Sequence, residues 1–212
     1  MRHFIFVLLL FVIVGINYGQ DISRQWLGLS YEALDSENSQ LNLSQLLRWR
    51  SGNFNQAITE ADFKTELFGN FSGGMELRYI LDIDREGAVQ GNRSGGRIRL
   101  NLYHKNEIGR WDVNQRAGIQ YFRRFDDGAN RLTFRFRPEI TPNIRRFKHD
   151  PSFSVEYFKV LETGGGHSFR YGIGVPFNFD KNRLELGYYF EQNGDPLTSA
   201  EHIFSLKYKR TK

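Results

Sequence analysis

The chain has 212 residues, enough for one all-β domain but too few for two. It contains no Cys, which excludes a lipid-anchored lipoprotein, disulfide bonds, thiol catalysis and thiolate metal sites. The formal charge is +5, from 29 Lys and Arg against 24 Asp and Glu. Because the basic residues are scattered rather than gathered in a run, we predict no nucleic-acid partner.

The N-terminus has the pattern of a secretory signal peptide. Arg2 and His3 precede an apolar run over residues 4–16, which is too short to span a bilayer as a helix. A small residue, Gly19, follows before Gln20. We therefore predict a signal peptide over residues 1–20 and a single β-barrel domain over 21–212, with a retained N-terminal anchor as the alternative.

After the signal peptide, apolar and polar residues alternate along most of the chain. A period of two places each set on one side of a pleated strand. No segment shows the periodicity of an amphipathic helix. The alternating segments are residues 24–33, 41–50, 57–67, 75–84, 97–103, 111–121, 131–142, 152–157, 168–179, 183–191 and 204–209.

The clearest hairpin lies in residues 167–191. In its first half, aromatic and aliphatic residues such as Phe169 and Tyr171 alternate with Arg170 and small or polar residues. The turn at 180–182 reverses the chain, and the alternation resumes in the second half.

These patterns predict an all-β fold, an antiparallel up-and-down barrel of the transmembrane type. The tally gives about eleven strands of roughly ten residues, the length that crosses a bilayer at a tilt. Because single-chain bacterial barrels have an even number of strands, we expect ten or twelve. The Gly-rich residues 85–96 are predicted to be the longest loop. Pro138 and Pro176 each lack a ladder donor, so we expect bulges or strand ends there.

Alternation does not determine which face points inward. In a soluble carrier the apolar face would line a cavity, whereas in a membrane barrel it would contact lipid and the charges would fill the lumen. The strand lengths, the aromatic residues on the apolar faces and the alternating last strand at Phe204, Leu206 and Tyr208 favour the membrane arrangement.

A family resemblance rests on three motifs: RLTFRFRPEIT at 131–141, SVEYF at 154–158 and HSFRYGIGVPFNFDKNRLELGYYFEQN at 167–193. Together they resemble the bacterial domain of unknown function 2490 (DUF2490), and the resemblance is best from Trp111 to the end. It implies a secreted outer-membrane β-barrel. The family brings no established activity and no catalytic residues.

The charged residues on the predicted lumen face are the candidates for a functional role. Neighbouring strands bring opposite charges within reach of each other, and Arg pairs with carboxylates in a bidentate manner. One interpretation is a neutralising charge ladder that fills a narrow barrel. The other is a pathway or binding site for an anionic or sugar-like solute. The residues are Arg135, Arg137, Glu139, Glu156, Arg170, Arg183, Glu185 and Glu191.

The four His residues after the signal peptide show no catalytic spacing. His167 and Ser168 are adjacent, but adjacent residues of a strand point to opposite faces. His149 and Asp150 lie in a predicted turn beside Pro151. We predict no enzyme activity, no catalytic residues, no metal site and no cofactor.

The sequence therefore predicts an outer-membrane β-barrel, structural or involved in passing or binding small polar solutes. Its expected partners are outer-membrane lipids or lipopolysaccharide, the barrel assembly machinery and a small polar or anionic solute. Two alternatives stay open: a periplasmic, lipocalin-like barrel that carries a lipid, and a barrel-embedded lipid hydrolase.

Overall fold

The computed structural model describes residues 22–84, 91–194 and 200–211. The predicted signal peptide lies outside the described residues. Within the described ranges, no helix is long and apolar enough to cross a membrane.

The strands form a single closed barrel, which confirms the all-β, up-and-down prediction. Strands that are neighbours in sequence pair antiparallel all around the wall. The strands are β1 (Ile22–Asp35), β2 (Ser39–Arg50), β3 (Asn53–Phe68), β4 (Phe71–Asp84), β5 (Gly91–Ile108), β6 (Trp111–Arg124), β7 (Asn130–Pro142), β8 (Ser152–Val160), β9 (His167–Phe179), β10 (Asn182–Asn193) and β11 (Glu201–Arg210).

The expectation of an even strand number is wrong, because the described residues form eleven strands. With an odd number, the first and last strands of an up-and-down barrel run in the same direction. β1 and β11 therefore close the barrel as a parallel pair, in register from Ile22 opposite Glu201 to Tyr31 opposite Arg210.

The connections divide the barrel into two unlike ends. At one end, which we call the turn rim, four of the five connections have two or three residues, and residues 143–151 make the fifth. At the other, the loop rim, only β2 and β3 are joined by two residues. Ser51 and Gly52 both have positive φ, 47° and 82°, as a type I′ hairpin turn requires. The remaining loop-rim connections are 85–90, 125–129, 161–166 and 194–200.

The loop predicted over 85–96 is shorter than expected, because β5 begins at Gly91. Gly95 and Gly96 belong to this strand, and their lack of a side chain leaves room for two aromatic rings. A Cβ on Gly95 would lie 2.8 Å from the ring of Phe122, and one on Gly96 would lie 2.9 Å from the ring of Phe125. These glycines make space for side chains rather than a turn. Residues 85–90 of the predicted loop lie outside the described residues.

The two prolines are accommodated without a bulge at either position. Pro138 is paired with Gln115 of β6, but the ladder from β7 to β8 has no paired residues at Arg137 and Pro138. Pro176 is paired with β10 only, since β8 begins at Ser152, opposite Gly174. A missing N–H donor is tolerated where no ladder bond is formed.

Candidate ligand-binding lumen

The apolar face of the barrel wall is exposed and the polar face is buried. On β5, Leu100 is 59% exposed, whereas the adjacent Arg99 is 4% exposed; on β4, Leu77 is 45% exposed and Glu76 is 2% exposed. The inward face is therefore the charged one, the reverse of an ordinary soluble protein. Further exposed apolar residues on the strands are Leu29, Tyr31, Leu43, Ile98, Leu102, Ile119, Tyr121, Phe136, Ile140, Phe153, Val155, Tyr171 and Ile173.

All eleven strands contribute residues to a lumen cavity of about 1090 Å³. Among the described residues, its lining includes twelve Arg or Lys side chains and six carboxylates, so the cavity carries a net positive charge. The basic residues are Arg48, Arg78, Arg97, Arg99, Arg116, Arg131, Arg135, Arg137, Arg170, Arg183, Lys207 and Lys209. The acidic residues are Glu60, Asp62, Glu76, Glu156, Glu185 and Glu191.

Glu156 of β8 is the centre of one charge cluster, which we call the Glu156 cluster. Its Oε1 accepts hydrogen bonds from Arg135, at 2.7 Å from Nη2 and 3.1 Å from Nε, and from Arg116 Nη2 at 2.8 Å. Its Oε2 lies 3.6 Å from Nη1 of Arg170. Arg170 in turn donates to Glu191 Oε2 at 2.6 Å. Several guanidinium groups thus surround one buried carboxylate.

Glu76 of β4 is the centre of a second cluster, which we call the Glu76 cluster. Its carboxylate pairs with Arg99, directly opposite on β5, and its Oε1 lies 2.7 Å from Nε of Arg78. Nη2 of Arg97 lies 3.6 Å from the same Oε1. Arg78 also pairs with Glu60, which lies opposite it on β3.

The two clusters have the same composition. Each contains two Glu residues joined by one Arg, and the more deeply buried Glu also contacts two further Arg residues. Gln120 of β6 lies between them, because it is opposite Arg99 in register and its Oε1 accepts a hydrogen bond from Arg135 Nη1 at 2.9 Å. Charges buried this completely are stable only when they are paired and hydrogen-bonded.

The other predicted charge-ladder residues form weaker pairs. Arg137 pairs with Glu139 of its own strand, and both side chains are about one quarter exposed. Glu185 accepts a hydrogen bond from Lys207, directly opposite on β11, at 3.0 Å and lies 3.3 Å from Arg183. The structure places seven of the eight predicted residues in the cavity lining, and Glu139 beside it through Arg137.

A small apolar cluster with two aromatic rings forms part of the lumen wall on β1, β10 and β11. Trp26, Tyr189 and Ile203 are buried together, with the two rings 5.9 Å apart. The guanidinium of Arg48 lies 4.3 Å from the centroid of the Trp26 ring, and that of Arg170 lies 5.2 Å from it. Ring faces attract cations, so Trp26 stabilises two positive charges without neutralising them.

The residues of the Glu76 cluster were not among the lumen-facing charges predicted from the sequence. Its residues stand on the polar face of alternating segments, the same signal that identified Arg135 and Glu156. Only the register shows that Glu76 is opposite Arg99 and that Glu60 is opposite Arg78. Strand pairing, rather than the residue pattern, distinguishes a buried cluster from a row of separate charges.

The four His residues that follow the predicted signal peptide pack against aromatic rings. His104 lies 4.7 Å from Phe71 between ring centroids, and His149 lies 4.7 Å from Phe177. His149 Nδ1 is also 3.1 Å from the carbonyl oxygen of Pro176. The ring of His167 lies 6.4 Å from that of Tyr157, and the ring of His202 lies 5.5 Å from that of Phe190. Within the described residues, no group of three or more His, Asp or Glu side chains has the geometry to hold a metal ion.

Comparisons of this chain with family models, curated proteins and solved structures found no match. The class of molecule defined by the structure is a closed β-barrel with a basic, charge-paired lumen. The resemblance to DUF2490 remains a prediction from the three sequence motifs.

Proposed function

We propose that this chain is a bacterial outer-membrane β-barrel whose lumen binds or passes small polar solutes. The observation that carries the proposal is the orientation of the wall, with Leu100 and Leu77 exposed and Arg99 and Glu76 buried. Membrane barrels have an apolar outer band and a polar interior. In water, an apolar surface of this extent would instead promote association.

Aromatic residues near both rims support the same proposal. Near the turn rim, Phe68 is 72% exposed and Phe179 is 56% exposed. Near the loop rim, Tyr79 and Phe125 stack on the outer surface with ring centroids 6.4 Å apart. Aromatic girdles at both interfaces flank the apolar band of outer-membrane barrels, because their rings sit at the level of the lipid headgroups.

Strand length and loop length fit an orientation in the membrane. The shortest strand, β8, has 9 residues and the longest, β5, has 18, so each is long enough to cross. Outer-membrane barrels have short periplasmic turns and longer extracellular loops. We therefore place the turn rim in the periplasm and the loop rim outside the cell. The expected partners are the surrounding lipids, lipopolysaccharide and the barrel assembly machinery.

The lumen chemistry favours a polar solute over a lipid. A carrier of lipocalin type needs an apolar cavity, whereas this cavity is lined by the Glu156 and Glu76 clusters. A cavity of about 1090 Å³ exceeds the volume needed for a small solute. The proposal therefore assigns the function to the charged inner wall rather than to the outer surface.

Two experiments test this proposal on the full chain. The first is membrane fractionation of the expressed protein, with boiled and unboiled samples compared on a denaturing gel. We expect recovery in the outer membrane and a heat-dependent shift in mobility. The second is conductance in a planar lipid bilayer, together with swelling of liposomes in small sugars. Recovery in the soluble periplasmic fraction without a mobility shift would contradict the proposal.

A further inference from the structure

We infer that the lumen wall formed by β5, β6 and β7 near the loop rim is a binding site for an oxyanion, a phosphate or carboxylate group, held by Arg97 and Arg131. This inference rests on the proposed function, because it names the class of solute that the charged lumen takes. The guanidinium groups of Arg97 and Arg131 are not fully neutralised by the carboxylates of the Glu156 and Glu76 clusters.

Arg97 has donor capacity that the described residues do not use. Its nearest carboxylate oxygen, on Glu76, is 3.6 Å away, and that carboxylate already pairs with Arg99 and Arg78. Nε and Nη2 of Arg97 make no hydrogen bond within the described part of the chain. Both atoms are buried, but the Arg97 side chain lines the cavity. Because a guanidinium has five N–H donors and no acceptor, an oxyanion bound beside Arg97 would supply an acceptor once the side chain turns toward the lumen.

Arg131 supplies a second positive charge on the same wall. Within the described ranges it forms no ion pair with a carboxylate, yet its side chain lines the cavity. It is exposed and lies at the start of β7, next to the connection 125–129. Solute entering from the loop rim therefore meets Arg131 before the buried clusters.

The strand register brings the two arginines onto one row. Arg97 is opposite Phe122 of β6, and Phe122 is opposite Arg131 of β7. Neighbouring strands are about 4.8 Å apart, so the two backbone positions are separated by roughly 10 Å. Phe122 shares this row and face, and its ring leans toward Gly95, where a Cβ would lie 2.8 Å from it. Two long side chains can then converge on one anion from both sides of β6.

The neighbouring residues fit an anion better than a cation. The next row contains Arg99, Gln120 and Thr133, and Thr133 is 5% exposed with an Oγ1 that has no hydrogen-bond partner among the described residues. On the far side, Val160 lies opposite Thr133 and Phe158 opposite Arg135. Apolar neighbours exclude water and strengthen the attraction between an anion and the guanidinium groups.

The test uses the full barrel refolded in detergent, titrated with inorganic phosphate and followed by calorimetry. We expect saturable binding that weakens at least tenfold in the double variant Arg97→Gln/Arg131→Gln. The matched control is Arg110→Gln, which removes the same charge from an exposed turn at the turn rim and should leave binding unchanged. Titration with succinate in place of phosphate distinguishes a carboxylate ligand from a phosphate ligand.

Folding is verified by the heat-dependent gel shift, and the single variant Arg131→Gln, at an exposed position, replaces the double variant if the latter does not fold. Conductance separates this inference from the proposed function. If the barrel binds phosphate but shows no conductance, the anion site is supported and the passage of solutes through the lumen is refuted. Conductance with no phosphate or succinate binding, and with no anion preference in a salt gradient, would refute the site alone. Equal binding by wild type and the folded variant would also overturn it.

Discussion

Arg99 donates a hydrogen bond to the carboxylate of Glu76, directly opposite it on the neighbouring strand, and both side chains are more than nine-tenths buried. The pair is the deepest part of the Glu76 cluster. A buried charge that loses its partner cannot be solvated by water, so each member of the pair depends on the other.

We expect the substitution Glu76→Gln to lower the free energy of unfolding by about 3–5 kcal/mol, because it leaves buried guanidinium groups without their carboxylate. The measurement is the urea midpoint of the heat-dependent gel shift in detergent micelles. Glu107→Gln, on the exposed end of β5, is the matched control and should leave the midpoint unchanged. Equal midpoints for the two variants would show that the Glu76 cluster does not stabilise the barrel.

Two carboxylates of the predicted charge ladder should differ in their contribution to stability. Glu156 is 3% exposed and accepts hydrogen bonds from Arg116 and Arg135. The Glu139 side chain is 27% exposed, and among the described residues its ion pair is with Arg137. We expect Glu156→Gln to cost about 3–5 kcal/mol. Glu139→Gln, and likewise Arg137→Gln, should cost about 1 kcal/mol or less. Similar losses at Glu156 and Glu139 in urea unfolding would contradict this ranking.

The outer surface of β5 offers a test of membrane contact. Leu100 and Ile108 are both 59% exposed, but Leu100 lies in the middle of the strand and Ile108 at its end. In lipid vesicles, we expect Leu100→Arg to destabilise the barrel by about 2–4 kcal/mol and Ile108→Arg by about 0–1 kcal/mol. Unfolding of both variants by guanidinium in vesicles measures the difference. Two small and equal effects would indicate that this face contacts water.

The three Trp residues report on the orientation of the wall independently of stability. Trp26 is buried in the lumen, whereas Trp111 is 48% exposed at the turn rim. We expect brominated lipids to quench the fluorescence of a variant that retains only Trp111, with the other two changed to Phe. The variant that retains only Trp26 should keep its fluorescence. Strong quenching of Trp26 would place it on the lipid side and reverse the assignment of the faces.

Alternation predicted the strands and the composition of each face, because side chains of a strand point to opposite sides whatever their partners. It could not predict which face is inside, since a period of two is the same in either case. Leu100 and Arg99 would alternate equally in a lipid carrier. Single residues also depart from the pattern: Ile58, Ile80 and Ile203 stand on the polar side of their strands and are buried.

The sequence predicted that charged residues line the candidate site, but it did not predict which of them lie next to each other. The sequence indicated that Arg135, Glu156, Arg170 and Glu191 share a face, and the structure brings them into one cluster. Strand register is a long-range property, so no local pattern could place Glu76 against Arg99. The prediction of an even strand number was wrong for a related reason. The even-number rule is a generalisation about a class of barrels, and it does not determine how β1 and β11 of this chain pair.

The parallel pairing of β1 with β11 gives the molecule an unusual sidedness. β1 starts at the loop rim, and β11 finishes at the turn rim. In the membrane orientation that we propose, Ile22 at the start of β1 and Arg210 at the end of β11 therefore face different compartments. Barrels with an even strand number have both ends in one compartment. In the outer-membrane orientation that we propose, a passenger domain joined ahead of β1 would be displayed outside the cell, whereas one joined after β11 would remain in the periplasm.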